Sequence, residues 1–243
     1  MRRTLLIAAF ALVLGAATTL LAGCGSSAAS ATNPPSASEQ AQAHVFASQV
    51  NLRAADLPGF KLVLEAQGNS GPLVRPIEQC DGGPIFSTAN RGLASPLLQR
   101  PKVPVQTLSS EVYRAPSRSF ASGYIQAADS QRGLGCIQRQ EVRKRDAVGL
   151  SSKSEVVALR PPLTGASVSG VRVWRCLVRD RACKSSPARS FTDRLWFAAG
   201  PYVVTLFYIA GARNEAKGPK PLALPLERHL IALLYSRAQA HKA

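Results

Sequence analysis

An α+β fold, a mainly antiparallel sheet with helices packed on it, is what this sequence predicts, and three observations carry that expectation. Strand-like segments follow one another directly in the last third: Gly170 to Val178, Thr192 to Ala198 and Tyr202 to Ile209. The run Val203 to Ile209 is apolar on both faces, which suits a central strand covered on both sides. Leu226, Leu230, Leu233 and Leu234 then sit at i, i+4, i+7 and i+8 behind Pro225, the pattern of one terminal amphipathic helix. Consecutive strands closed by a helix build an antiparallel sheet, whereas a doubly wound sheet would alternate strand and helix throughout.

The other elements follow in chain order. Ordered structure is expected to begin near Val45 or Leu52, with a turn over Ala54 to Gly59. Phe60, Leu62 and Leu64 alternate as a half-buried strand does. After the Asp81-Gly82-Gly83-Pro84 break, Ile85 to Leu98 is read as a helix weakened by Gly92 and Pro96. Thr107 to Arg114 is strand-like. Pro116-Ser117 then starts a helix with Phe120, Tyr124, Ile125 and Ala128 on one face, and Gly133 and Gly135 are taken to end it. Glu155 to Leu159 is a short strand stopped by Pro161-Pro162, and Gly200-Pro201 turns a hairpin.

With 243 residues the chain holds one domain plus extras. A 46% hydrophobic share excludes a wholly disordered chain, and a single long apolar run excludes a polytopic membrane protein. That run is Leu5 to Ala22, behind Arg2-Arg3, and its last two residues open the motif Leu21-Ala22-Gly23-Cys24. The last four residues resemble the lipobox of bacterial lipoproteins. The resemblance implies that Cys24 carries a diacylglyceryl thioether, becomes the first residue after cleavage, and holds the protein on the extracytoplasmic face of the cell membrane. Two acyl chains suffice for stable anchoring where one does not. The Ser/Ala/Pro stretch that follows shows no charge before Glu39 and cannot bury enough apolar surface to order itself. The expected organisation is therefore a signal peptide over 1–23, a disordered tether over 24–44 and one α+β ectodomain over 45–243.

Without Cys24, four cysteines remain: Cys80, Cys136, Cys176 and Cys183. An even number in an exported chain favours two disulfides, and four cysteines allow three connectivities. Cys176–Cys183 with Cys80–Cys136 is preferred, because Arg179-Asp180 makes a turn that brings Cys183 opposite Cys176. This element order, the four cysteines and the segment Leu52 to Phe60 resemble exported actinobacterial lipoproteins with a Mog1/PsbP-like α-β-α sandwich. They also resemble the extracellular sensor domains of some mycobacterial receptor kinases. The resemblance implies that sandwich fold and transfers no catalytic residue to any position here.

Thirty Lys+Arg against fourteen Asp+Glu give a net charge of +16. Local clusters are Arg139, Arg143, Lys144 and Arg145, then a basic patch of Arg172, Arg175, Arg179, Arg181, Lys184 and Arg189. Such a patch suits anionic lipid head groups or an acidic envelope polymer. Export removes nucleic acid from reach, and no stacking aromatics interleave the basic runs.

Catalytic signatures are missing. There is no His-Glu-x-x-His, Walker loop or Gly-x-Ser-x-Gly elbow, and Gly133-Leu-Gly-Cys-Ile-Gln138 fails the dinucleotide fingerprint at its third glycine. No metal ligand set and no cofactor site are expected. His44 lies near the tether and His241 near the end, while His229 flanks the apolar face of the last helix and reads as structural. Asp56, Asp81 and Asp193 read as turn caps, and Trp174 and Trp196 as core. The expected function is a non-catalytic binding, accessory or sensor-like module of the envelope. The alternatives are a carrier that shelters an apolar ligand between sheet and helix, and an enzyme with an unrecognised site.

Overall fold

The computed structural model describes residues 36–64, 93–100, 105–148, 153–176, 189–212 and 220–241. Their centre is an antiparallel sheet of eight strands: β1 (Lys61–Leu64), β2 (Leu93–Ala94), β3 (Leu97–Arg100), β4 (Val105–Arg114), β5 (Lys153–Leu159), β6 (Val168–Cys176), β7 (Arg189–Ala199) and β8 (Tyr202–Ala212). The order across the sheet is β1-β3-β4-β8-β7-β6-β5, with the short β2 also paired to β4. Among the described residues four α-helices accompany it: α1 (Ala37–Val50), α2 (Arg118–Asp129), α3 (Gln131–Val148) and α4 (Leu224–His241). The α+β class and the antiparallel sheet are as the sequence predicts.

Period-two alternation splits the strands into two buried faces. Leu108, Leu195, Phe197, Val204, Leu206 and Tyr208 pack with Phe46 and Val50 of α1 and with Leu230, Ile231 and Leu234 of α4. On the opposite face Tyr113, Val171, Trp196 and Val203 pack with Tyr124, Ile125 and Ala128 of α2 and Ile137 of α3. The result is a three-layer α-β-α sandwich. β8 pairs with β4 on one side and β7 on the other, so its two-faced apolar run is central, as expected. Gly200 turns the β7–β8 hairpin with φ +60, and Ala115 N donates to Pro201 O at 2.7 Å, fastening the turn to the end of β4.

Several expectations are corrected. Order begins before Val45: α1 starts at Ala37, within the stretch read as a tether. Ser36 accepts from Glu39 N while the Glu39 carboxylate accepts from Ser36 N at 2.8 Å, a reciprocal capping box that starts the helix despite the Ala/Ser composition. Of the helix expected over Ile85 to Leu98, the described part is extended, forming β2 and β3; the rest lies outside the described residues. The strand after Phe60 is not half-buried: β1 is an edge strand whose Leu62, Val63 and Leu64 are all exposed. Gly133 and Gly135 do not end α2 but lie inside α3. Ser130 separates the two helices, its Oγ accepting from Gly133 N at 2.9 Å.

The C-terminus of α1 is clamped to the sheet by a buried polar relay. Asn51 Nδ2 donates to Leu93 O at 2.8 Å, Ser110 Oγ donates to Asn51 Oδ1 at 2.9 Å, and Leu52 N donates to Ser110 Oγ at 2.8 Å. Phe46 stacks on Tyr202 with ring centroids 3.9 Å apart, fixing the middle of the same helix to β8. Among the described residues no helix is long and apolar enough to cross a membrane.

Candidate functional site

Arg172 and Arg175 lie three residues apart on β6, so the strand's alternation sends them to opposite faces of the sheet. They are not one solvated patch. On the α4 face Arg172 donates through Nε to Asp193 Oδ1 at 2.7 Å and through Nη2 to Asp193 Oδ2 at 2.9 Å. Asp193 is its register partner on β7 and is fully buried. Its Oδ2 also accepts from Leu222 N at 3.1 Å, docking the segment that enters α4. Asp193 therefore joins two strands to a helix in mid-strand, and the expectation that it caps a turn is overturned.

Glu227 of α4 approaches the same guanidinium, with Oε2 3.6 Å from Arg172 Nη2. Burial pushes its carboxyl above the usual carboxylate range; the charges of Arg172 and Arg228 offset part of that and the charge of Asp193 adds to it. Hydrogen bonding to Asp193 raises the Arg172 guanidinium further, against burial. Tyr208, on the same face, donates to Lys220 O at 3.0 Å, and burial pushes its phenol up to about 12.

On the α2–α3 face Arg175 binds the buried Glu141 of α3 through Nε and Nη2 and donates through Nη1 to Thr192 Oγ1 at 3.0 Å. Arg194, two residues from Thr192 on the same face, is 7% exposed. Its guanidinium lies 5.5 Å above the Phe207 ring, and its Nε and Nη1 find no hydrogen-bond partner among the described residues. Burial lowers its pKa, Glu141 opposes that and Arg175 adds to it. Thr205 Oγ1 and Ser109 Oγ, buried on the neighbouring strands, are likewise unpaired among the described residues. This floor is polar where a sheet's centre is ordinarily apolar.

A polar cleft of about 340 Å³ opens at the end of the sandwich marked by the β7–β8 hairpin. One wall is a stripe of α2 at i, i+4 and i+8: Arg118, Ser122 and Gln126. Ser167, from the loop between β5 and β6, faces them, and Tyr235 and Gln239 of α4 complete the opposite wall. The Tyr235 hydroxyl donates to Gly165 O at 2.7 Å, which fixes that wall. Ala198, Ala199 and the backbone of Gly200 line the cleft at the hairpin.

The other residues singled out by sequence fall as follows. Cys24, Cys80 and Cys183 lie outside the described residues, as do Arg179, Arg181, Lys184 and Asp81; of Cys176 and Arg189 only the strand backbone is described. Cys136, on α3, is buried and disulfide-bonded, and the other half of its bridge lies outside the described side chains. Trp196 is fully buried in the α2–α3 layer. His229 and His241 are exposed on α4, so His229 is not part of the core, while His44 borders a separate groove beside α1. Asp56 does cap a turn, accepting from Arg53 N at 2.7 Å. Among the described residues no group of three or more His, Cys, Asp or Glu is placed to hold a metal ion. The α2 stripe is hidden in the sequence because its apolar face dominates the pattern, and Arg118 is an ordinary first-turn residue until the fold places it in one cleft with Ser167 and Tyr235.

No family model matches the chain, and no curated protein does. Solved structures that resemble it include an uncharacterised protein from Mycobacterium smegmatis, 10% identical, with a TM-score of 0.44 over 82% of this chain and 96% of that one. Another is the extracellular domain of PknH from Mycobacterium tuberculosis, 8% identical, with a TM-score of 0.37 over 85% of this chain and 98% of that one. At such scores neither likeness bears on what the chain does.

Proposed function

We propose that this chain is an exported lipoprotein, anchored through Cys24 to the outer face of the cell membrane, whose ectodomain is a non-catalytic binding or accessory module of the envelope with a sensor-like role. The carrying observation is the cysteine chemistry. Leu21-Ala22-Gly23-Cys24 closes an apolar signal, and Cys136 is held in a disulfide, a bond that persists in oxidising compartments and is rare in the cytosol. Binding at the surface is supported by a polar cleft at one end of the sandwich. It is also favoured over shelter of an apolar ligand between the layers, because Trp196, Phe197, Leu195 and Leu206 fill both sides of the sheet.

The reading is tested by feeding labelled palmitate to cells that make the full chain. Label is expected in the wild-type product and not in Cys24→Ser, which is expected to leave the membrane fraction. Label entering both equally, or neither, overturns the anchor and with it the extracytoplasmic placement.

A further inference from the structure

We propose that the cleft between α2, α4 and the β7–β8 hairpin binds a small sugar acid, a polyhydroxylated molecule bearing one carboxylate. The proposal deepens the binding-module reading and rests on it. At about 340 Å³ the cleft falls in the size range of small-molecule sites. Arg118 is the one charged residue among its described lining, and no ion pair engages it among the described residues. A guanidinium is the side chain best suited to hold a planar carboxylate through paired N–H donors.

The groups around Arg118 define the rest of the ligand. Ser122, Gln126 and Ser167 line the cleft with two hydroxyls and an amide, and no hydrogen bond occupies their side chains among the described residues. Hydroxyls and amides both donate and accept, which matches ring hydroxyls that do the same. A simple anion would leave most of these groups unused. Ala198, Ala199 and Ile125 add short apolar surface suited to the C–H face of a sugar ring. Tyr235 is already tied to Gly165 O, so the wall opposite Arg118 stands in place before any ligand arrives.

The test is calorimetric titration of the full lipidated chain in detergent with glucuronate, glucose, acetate and inorganic phosphate. Saturable glucuronate binding is expected, with the other three at least tenfold weaker. Arg118→Gln, at an exposed position with no ion pair among the described residues, is expected to weaken glucuronate at least tenfold with an unchanged melting temperature. Ser122→Trp is expected to block the cleft while leaving Arg118 in place. The proposal is overturned if glucuronate does not saturate, if acetate or phosphate binds as tightly, or if either variant binds like wild type. Palmitate labelling of Cys24 is read separately, so a failure here leaves the anchor standing, and a failure there does not mimic lost binding.

Discussion

Asp193 and Glu227 face the same guanidinium from β7 and α4, yet their carboxylates are not equivalent. Asp193 accepts two charge-assisted bonds from Arg172 and one from Leu222 N, while Glu227 Oε2 has no hydrogen bond among the described residues. Removing Asp193 strands a largely buried cation, so Asp193→Ala is expected to cost about 3 kcal/mol or more in urea unfolding. Glu227→Gln is expected to act the other way. Because burial raises the folded-state pKa of Glu227 above its unfolded value, the folded protein binds the proton more tightly. Its favourable contribution is complete below the unfolded pKa and is lost as pH rises through the folded one. Glu227→Gln should therefore match or exceed the wild-type urea midpoint at pH 7, with the advantage gone at pH 4. A midpoint at pH 7 clearly below wild type would show that the 3.6 Å approach to Arg172 outweighs the desolvation.

Two glycines on α3 separate what its sequence conceals from what its packing demands. A Cβ on Gly133 would sit 2.1 Å from the Ala127 carbonyl oxygen at the α2–α3 corner, whereas one on Gly135 would meet only the flexible Arg139 guanidinium at 3.5 Å. Gly133→Ala is accordingly expected to destabilise by roughly 1–3 kcal/mol as overpacking does, and Gly135→Ala to stabilise by about 0.5–1 kcal/mol through helix propensity. Thermal melts of the pair check both signs, and equal effects would refute the corner's geometry. The same corner explains why α3 was unreadable in sequence. Gly133 and Gly135 ordinarily mark a helix's end, but here one glycine admits a neighbouring carbonyl and the helix runs on. By contrast the β7–β8 hairpin and α4 were legible, because Gly200-Pro201 and the leucine spacing report local geometry. A count of arginines carries no face: within the basic patch, Arg172 and Arg175 are divided by strand alternation and neutralised by acids from β7 and α3, while the side chains of Arg179, Arg181, Lys184 and Arg189 lie outside those described.

Across the whole molecule, the two ends of the described fold meet through Arg237 of α4. Its Nη1 donates to Asp56 Oδ2 at 2.8 Å and to Asn51 O at 3.1 Å, and its Nη2 donates to Asp56 Oδ1 at 2.7 Å. These contacts couple residues 181 and 186 apart in sequence, joining the exit of α1 to the final helix on the same layer. Burial works to raise the Asp56 carboxyl, but the hydrogen bonds from Arg237 and Arg53 N, with the charges behind them, hold it below the usual range. For a depressed carboxyl the stabilisation is present above the unfolded value of 3.8 and disappears as pH falls through the lower folded value. Asp56→Asn keeps the shape and removes that proton linkage. The variant is expected to be less stable than wild type at pH 7 and to converge with it as pH is lowered from about 5 toward 2. Urea midpoints taken at unit pH steps would show the convergence. Parallel curves down to pH 2 would mean that Asp56 titrates alike in both states, and that the α1–α4 layer is held by Phe46, Val50, Leu230 and Leu234 without help from the ion pair.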